Sequence, residues 1–358
     1  MKRKIIIINR SLVEAGAEKQ SVMLASILQK QYKVTLVILY DIISDVNRET
    51  ISNNDLKVVV LNGDSLFIKA IDFYKLLKTN KPHIVFSYLA SGNLFNALIG
   101  SISGVKYRIG GIRNAELSSK KLPFERVFHN YFLTKTISNS HSAVSGLSKL
   151  GFKGDKFHVI HNAFELNQSY ILRTENNTVN IISLARFVPQ KDYFTAIEAI
   201  KLLSSKMESI ENKVVYYLIG YGEMEQAIRD KVKELGLEGL VKIIIKPNNL
   251  VDYFKKADVF LSTSLFEGMS NSVMEALSFS LPVVATSAGD MEYLVKDDFN
   301  GYICDIGDYN QISDRLEMLV RNYDLRKAMG EKSYQIISEN FSMEKFRDNY
   351  ITFIENLN

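Results

Sequence analysis

Short apolar runs separated by amphipathic stretches set the rhythm of this chain from its first residues. Residues 4–8 are a lysine followed by four isoleucines, the content of a buried strand, and residues 17–31 carry apolar positions at helical spacing. The β-branched signal returns at 34–39, 58–61, 84–86 and 107–110, with helical text at 66–79 and 93–103 between them. A polar, irregular stretch at 167–178 interrupts the pattern. It then resumes with strands expected at 179–184, 214–219, 241–245, 257–261 and 283–285, and helices at 272–279, 311–322 and 344–356. Strands that alternate with helices form parallel, doubly wound sheets, because each crossover helix carries the chain back to the start of a neighbouring strand.

Length turns this rhythm into an α/β protein of two domains. At 358 residues the chain exceeds the size at which a single core usually stops growing. The expected division is 1–165, a linker at 166–178, a second domain at 179–340 and a closing segment at 341–358. Hydrophobic content of 46% and charged content of 23% are ordinary for a soluble globular protein. The lone cysteine, Cys304, has no partner for an internal disulfide, which fits a reducing compartment. The opening M-K-R-K-I-I-I-I-N-R offers four apolar residues where a signal core needs roughly seven to fifteen, so it reads as a first strand. No stretch approaches the roughly twenty apolar residues of a membrane helix. A cytoplasmic protein is expected.

Charge changes the picture of the first half. Residues 1–170 carry 23 Lys+Arg against 12 Asp+Glu, net +11, while the remainder is net −7. A basic half points to an anionic partner, with a bilayer surface or a lipid-linked phosphate as plausible as nucleic acid. Residues 118–135 mix basic residues with Phe124, Phe128, Tyr131 and Phe132 at helical spacing. A core stripe is the expectation there, and an amphipathic face for anionic lipid is the alternative. His129 and His141 have no neighbours at metal-ligand spacing and read as structural.

The candidate chemistry centres on residues 262–295, S-T-S-L-F-E-G-M-S-N-S-V-M-E-A-L-S-F-S-L-P-V-V-A-T-S-A-G-D-M-E-Y-L-V. Glu267 lies in a loop beside Gly268, where the backbone can approach a ligand closely. Glu275 lies eight positions on, within an otherwise apolar helical segment. Between them the amides of Met269, Ser270 and Asn271 lie at a helix start, where unpaired N–H groups and the dipole attract an anion. Taken singly, Glu267 is equally a cap and Glu275 equally a solvated helix residue. Together, acids on both sides of a phosphate cradle suit a sugar nucleotide. Upstream, A-R-F-V-P-Q-K-D places Arg186 at a strand end and Lys191 at the opening of the next helix, two cations suited to a diphosphate leaving group.

At E-G-M-S-N-S-V-M-E-A-L, followed by L-P-V-V-A-T and A-G-D-M-E-Y-L, the sequence resembles the donor-site signature of the retaining family 4 glycosyltransferases (glycosyltransferase group 1, GT-B fold). A-R-F-V-P-Q-K-D is similar to that family's G-R-L-x-x-x-K-G. The resemblance implies two Rossmann-like domains facing across a cleft, acceptor in the first and nucleotide sugar in the second, with the last helix crossing back to the first. Phe346, Tyr350 and Phe353 suit that crossing, and equally suit packing within the second domain.

The resemblance further implies that Arg186 and Lys191 neutralise the departing diphosphate, Glu267 holds hydroxyls of the transferred sugar and Glu275 accepts from the ribose hydroxyls. Gly220 and Gly222 of G-Y-G-E, with Lys246 and Pro247, would shape the nucleotide pocket. Gly16 and Glu18 stand where the family has G-G-x-E, although Ala15 replaces the first glycine. Gly111-Ile112-Arg113-Asn114 looks like a variant of a Ser-x-Arg-Asn pattern, making Arg113 and Asn114 candidates for a donor or acceptor phosphate; a surface loop cation is the plain alternative.

No D-x-D occurs, so neither a cofactor nor a metal is expected. The implied activity is retaining transfer from a nucleotide sugar, a UDP-sugar foremost, to a saccharide or lipid-linked saccharide in bacterial surface-polysaccharide assembly. The expected partners are these two substrates and an anionic membrane face, and no nucleic acid. A sugar-nucleotide 2-epimerase of the same fold and a non-catalytic nucleotide-sugar binding protein are the alternatives.

Overall fold

The computed structural model describes residues 2–13, 16–112, 121–166, 169–207 and 213–357. The chain divides into two units, Met1–Ala163 with Met343–Asn358, and Phe164–Ser342.

Among the described residues of the first unit seven parallel strands follow one another along the chain: β1 (Lys4–Asn9), β2 (Lys33–Ile38), β3 (Val58–Val60), β4 (Ile84–Ser87), β5 (Tyr107–Ile112), β6 (Lys135–Ser138) and β7 (Phe157–Val159). Their order in the sheet is β3-β2-β1-β4-β5-β6-β7, so the winding reverses between β1 and β4. The isoleucine run of β1 serves two cores at once, as the period of two requires. Ile5 and Ile7 pack with the helices Gly16–Leu28 and Met343–Glu355. Ile6 and Ile8 face the opposite core with Phe73 and Phe95.

The closing helix, Met343–Glu355, packs on this first unit. Its Phe346, Tyr350 and Phe353 are buried there, with the Tyr350 ring 5.9 Å from that of Phe86. Periodicity alone left both packings open. Several elements carry little periodic signal and were not anticipated: β6 and the helices Asp45–Asn53 and His141–Lys149. The helix expected at 93–103 begins earlier, as Leu89–Phe95, and continues as a π-helical stretch, Asn96–Gly100.

The described residues of the second unit form six parallel strands, β8 (Thr178–Leu184), β9 (Lys213–Gly220), β10 (Val241–Ile245), β11 (Val259–Ser262), β12 (Val283–Thr286) and β13 (Gly301–Cys304), ordered β10-β9-β8-β11-β12-β13. Again the winding reverses, here between β8 and β11, and ligands of such sheets sit at that point beyond the carboxyl ends. β13 corrects the expectation that 283–285 is the last core strand. Four residues opening on glycine give no alternation to read. Gly301 is required because a Cβ there would lie 1.9 Å from the Val283 carbonyl oxygen. The long helix Tyr323–Asn340 was likewise unforeseen.

The irregular stretch read as a linker is fastened to the second unit. Arg173 is largely buried and donates to the carbonyls of Ala257 at 2.5 Å, Ser280 at 2.9 Å and Phe254 at 3.1 Å. Ile171 packs on the core beneath the helix Asn271–Ser278 and donates its N–H to Ser280 Oγ at 3.1 Å. A polar sequence here marks an arginine that satisfies buried carbonyls, which composition reads as loop.

Candidate active site

Each side chain of the site is placed by the carboxyl end of a strand in the second unit. Beyond β8 the chain passes Arg186, makes a 3₁₀ turn, Pro189–Lys191, and reaches Asp192 in the left-handed region (φ 43°). Asp192 caps the helix Tyr193–Lys206, taking the Thr195 hydroxyl at 2.6 Å. Lys191 therefore stands one residue before the cap and does not open the helix. The turn is laced to the segment after β11. The Thr263 hydroxyl lies 3.0 Å from the Lys191 carbonyl and 2.9 Å from that of Asp192, and the Leu265 N–H donates to the Gln190 carbonyl at 2.8 Å.

This lacing brings Lys191 onto Glu267. The two form a direct, half-buried ion pair, and Ser264 Oγ donates to the same carboxylate oxygen at 2.8 Å. Ser264 is itself held by Thr286 of β12, whose hydroxyl donates to its carbonyl at 2.6 Å. The turn carrying Glu267 and Gly268 rests on Gly289, which has φ +66° and would place a Cβ 2.0 Å from the Glu267 carbonyl oxygen. Lys191, Ser264 and Ser272 also line one crevice at the β8/β11 reversal. Ser264 and Ser272 were not singled out from sequence. The hydroxyl-rich S-T-S closing a buried strand was the available signal.

The helix after Glu267 is Asn271–Ser278, capped by Ser270 without a side-chain hydrogen bond. Its unpaired amides begin at Asn271, two positions later than expected, while Met269 and Ser270 are buried in the approach to it. Glu275 lies on this helix, half-buried among apolar neighbours, and burial pushes its carboxyl above the ordinary range. A solvated residue would not be shifted this way.

The remaining candidates have distinct roles. Gly220 and Gly222 clear backbone: a Cβ would meet the Ala185 carbonyl oxygen at 2.0 Å or the Phe187 carbonyl oxygen at 2.4 Å. They thereby fix the turn that carries Arg186, which is exposed and makes no ion pair among the described residues. Lys246 is left-handed (φ 42°), and its ammonium lies 4.6 Å from the ring centre of Tyr221, the residue between those glycines. Pro247 lines a groove with Tyr217, Tyr253 and Asn180. In the first unit Gly16 is exposed at the start of its helix, with nothing within 4 Å of where a Cβ would stand, and Glu18 is buried in the first turn. Arg113 and Asn114 lie outside the described residues.

His129 is structural. Its Nε2 donates to the Lys153 carbonyl at 2.9 Å, so Nδ1 accepts from the Thr136 hydroxyl at 2.8 Å. The expected core stripe is overturned in part: Phe124 and Tyr131 are exposed, and Phe128 and Phe132 half-buried.

Residues 167–336 match the family model described as Glycosyl transferases group 1. The lipopolysaccharide core biosynthesis glycosyltransferase LpsE of Rhizobium meliloti is 27% identical over 174 residues, 49% of this chain and 49% of that one. The chain thus spans about half the length of that curated relative. An N-acetylgalactosamine-N,N'-diacetylbacillosaminyl-diphospho-undecaprenol 4-alpha-N-acetylgalactosaminyltransferase from Campylobacter jejuni is 24% identical over 351 residues, covering 92% of this chain and 94% of its own. Among solved structures, Anabaena HepE in complex with UDP superposes with a TM-score of 0.81 at 16% identity, over 98% of this chain and 99% of that one. The fold is GT-B. Through residues 167–336, the segment that holds Lys191, Glu267 and Glu275, the chain is similar to the glycosyl transferases group 1 family.

Proposed function

We propose that this protein is a retaining glycosyltransferase that moves a sugar from a nucleotide sugar, a UDP-sugar foremost, to a saccharide or lipid-linked saccharide acceptor. The observation that carries the reading is the Lys191–Glu267 pair beside the N-terminus of the helix Asn271–Ser278, whose cap Ser270 makes no side-chain hydrogen bond, at the β8/β11 reversal. As the bond between the sugar C1 and the diphosphate oxygen breaks, negative charge grows on the departing diphosphate. Lys191, Arg186 and the amides around Asn271 stabilise it in place, which lowers the barrier without reorganisation. Glu267, oriented by Lys191 and Ser264, accepts from hydroxyls of the transferred sugar. Glu275 accepts from the ribose. The second unit holds the donor and the first receives the acceptor.

The named relatives act in lipopolysaccharide core biosynthesis and on a diphospho-undecaprenol saccharide, which supports an acceptor from bacterial surface-polysaccharide assembly. HepE binds UDP, which supports uridine as the base. The transfer is metal-independent, with charge on the diphosphate met by side chains and amides. No helix among the described residues is long and apolar enough to cross a membrane, so contact with a cytoplasmic membrane face would be peripheral.

The test is a panel of nucleotide sugars scored for protection against thermal unfolding, followed by turnover with a lipid-linked saccharide and NMR of the product linkage. Retention of the donor's anomeric configuration, undiminished by a chelator, is expected. Isomerisation of the donor without an acceptor would make the protein an epimerase instead, and protection by a donor that is never consumed would make it a binding protein.

A further inference from the structure

Three neighbouring helical segments of the first unit turn apolar side chains outward. On the helix Leu66–Asn80, Phe67, Ile71 and Tyr74 recur at i, i+4 and i+7 and form one exposed stripe, while Phe73 and Leu77 fill the core beneath. The next segment, Asn96–Gly100, leads to Ile102, and the one after, Leu122–Val127 with Phe128–Phe132, exposes Phe124 and Tyr131. These segments contact one another in sequence, so their outer sides make one face of the sheet's helical layer. Phe67 is 75% exposed, Tyr131 73%, Ile102 67% and Phe124 66%. Aromatic side chains this open are costly to leave in water, and a concentration of them marks a contact surface.

Charge identifies the occupant. Residues 66–156 carry 14 Lys+Arg against 4 Asp+Glu, net +10, nearly all of the excess in the first half. Of the acids, Asp72 accepts from both amides of Asn62, and Glu125 is buried against Asn93. The lysines stand beside the exposed rings: Lys78 Nζ lies 5.5 Å from the centre of Tyr74, and Lys153 Nζ lies 5.3 Å from that of Tyr131. Rings flanked by ammonium groups match a lipid interface, where aromatic edges enter the headgroup region and lysines meet anionic phosphates.

We infer that this face docks the protein on an anionic bilayer surface. It deepens the acceptor part of the proposed function, since a lipid-linked saccharide is presented at such a surface, and it widens the amphipathic alternative for residues 118–135 to three helices.

The experiment sediments the full chain with phosphatidylcholine vesicles with and without phosphatidylglycerol, in the absence of nucleotide. Two variants are compared, Phe67→Ser/Phe124→Ser/Tyr131→Ser and Lys75→Glu/Lys78→Glu, both at exposed positions and both checked for an unchanged melting temperature. The wild type should partition onto phosphatidylglycerol vesicles and release at high salt. Each variant should lose at least about tenfold in partition coefficient. No binding to anionic vesicles at low salt, or equal binding by the variants, overturns the inference. So does a concentration-dependent dimer that the ring variant abolishes, because the face would then cover a second copy. Donor protection is measured separately, so vesicle binding without it would sink the transferase reading alone, and the reverse would sink this one alone.

Discussion

Lys191 and Glu267 form a direct ion pair, and Ser264 donates to the same carboxylate oxygen at 2.8 Å, so two side chains from two loops converge on one Glu267 oxygen. Neither loop holds this geometry alone. The pair spans 76 residues of sequence and is closed by the backbone lacing between residues 190–192 and 263–265. Lys191→Ala and Glu267→Ala should each cut turnover at least about a hundredfold, the scale of one lost preorganised charge contact. Ser264→Ala, which only orients the carboxylate, should cost roughly tenfold. Initial rates with a saturating donor check this, and near-normal turnover in either charge variant removes that residue from the site.

Gly289→Ala tests the support beneath Glu267. Its φ of +66° and a Cβ 2.0 Å from the Glu267 carbonyl oxygen leave no room for a methyl group. A loss of about 2 kcal/mol or more in unfolding free energy is expected, with activity falling as the turn is displaced. Denaturant melts at neutral pH measure the first effect.

Glu275→Gln should separate stability from binding. Burial raises the folded carboxyl above its ordinary value of 4.5, so the folded state holds its proton to higher pH than the unfolded chain. The stability this group confers is fully present below the unfolded value and is lost as pH rises through the folded one. At neutral pH the neutral amide avoids that cost, and the variant should melt higher than the wild type. Protection by UDP should weaken about tenfold or more, because an amide is a poorer acceptor for paired ribose hydroxyls. A variant that melts lower and binds UDP normally would remove Glu275 from the donor site.

Arg173→Met addresses the fastened segment. Burial pulls its guanidinium down to about 10, and its three carbonyl partners would be left without a donor. A loss of about 2–4 kcal/mol is expected. Proteolysis near residues 169–177 should accelerate in step, and an unchanged melting curve would contradict the fastening.

His129 supplies a pH signature. Burial lowers its pKa from 6.5 to about 4, so it is neutral in the fold while the unfolded chain would protonate it. Its contribution is present above the unfolded value and is lost as pH falls through the folded one, on the order of 3 kcal/mol. Unfolding free energies between about pH 7 and pH 4 should fall less steeply in His129→Gln than in the wild type.

Much of the site was legible as positions along the chain. Glu267 and Gly268 read as loop positions after a strand and Glu275 as a helix position, and they stand so; Lys191 read as opening a helix and stands one residue before its cap. Their supports were not legible. Gly289 reads in sequence as an ordinary turn glycine, and only the backbone beside it shows that it carries the Glu267 turn. Gly220 and Gly222 read as a tight turn that would shape the nucleotide pocket, and the space they clear is taken by the backbone and ring of residues 185–187. Phe124 and Tyr131 looked like core because helical spacing reports a shared face and not what covers it.

From the sequence by itself came the alternation of strand and helix, the parallel doubly wound class and the loops that bear the chemistry. These follow from local periodicity, because the side chains of one strand or helix turn are ordered by their immediate neighbours. Only the tertiary structure decided that Lys191 meets Glu267, that the closing helix packs on the first unit, that residues 169–177 are fastened by Arg173, and that aromatic rings stand open beside lysines. Each depends on strand order and on which surface another element covers, and contacts between residues far apart in sequence leave no period to read.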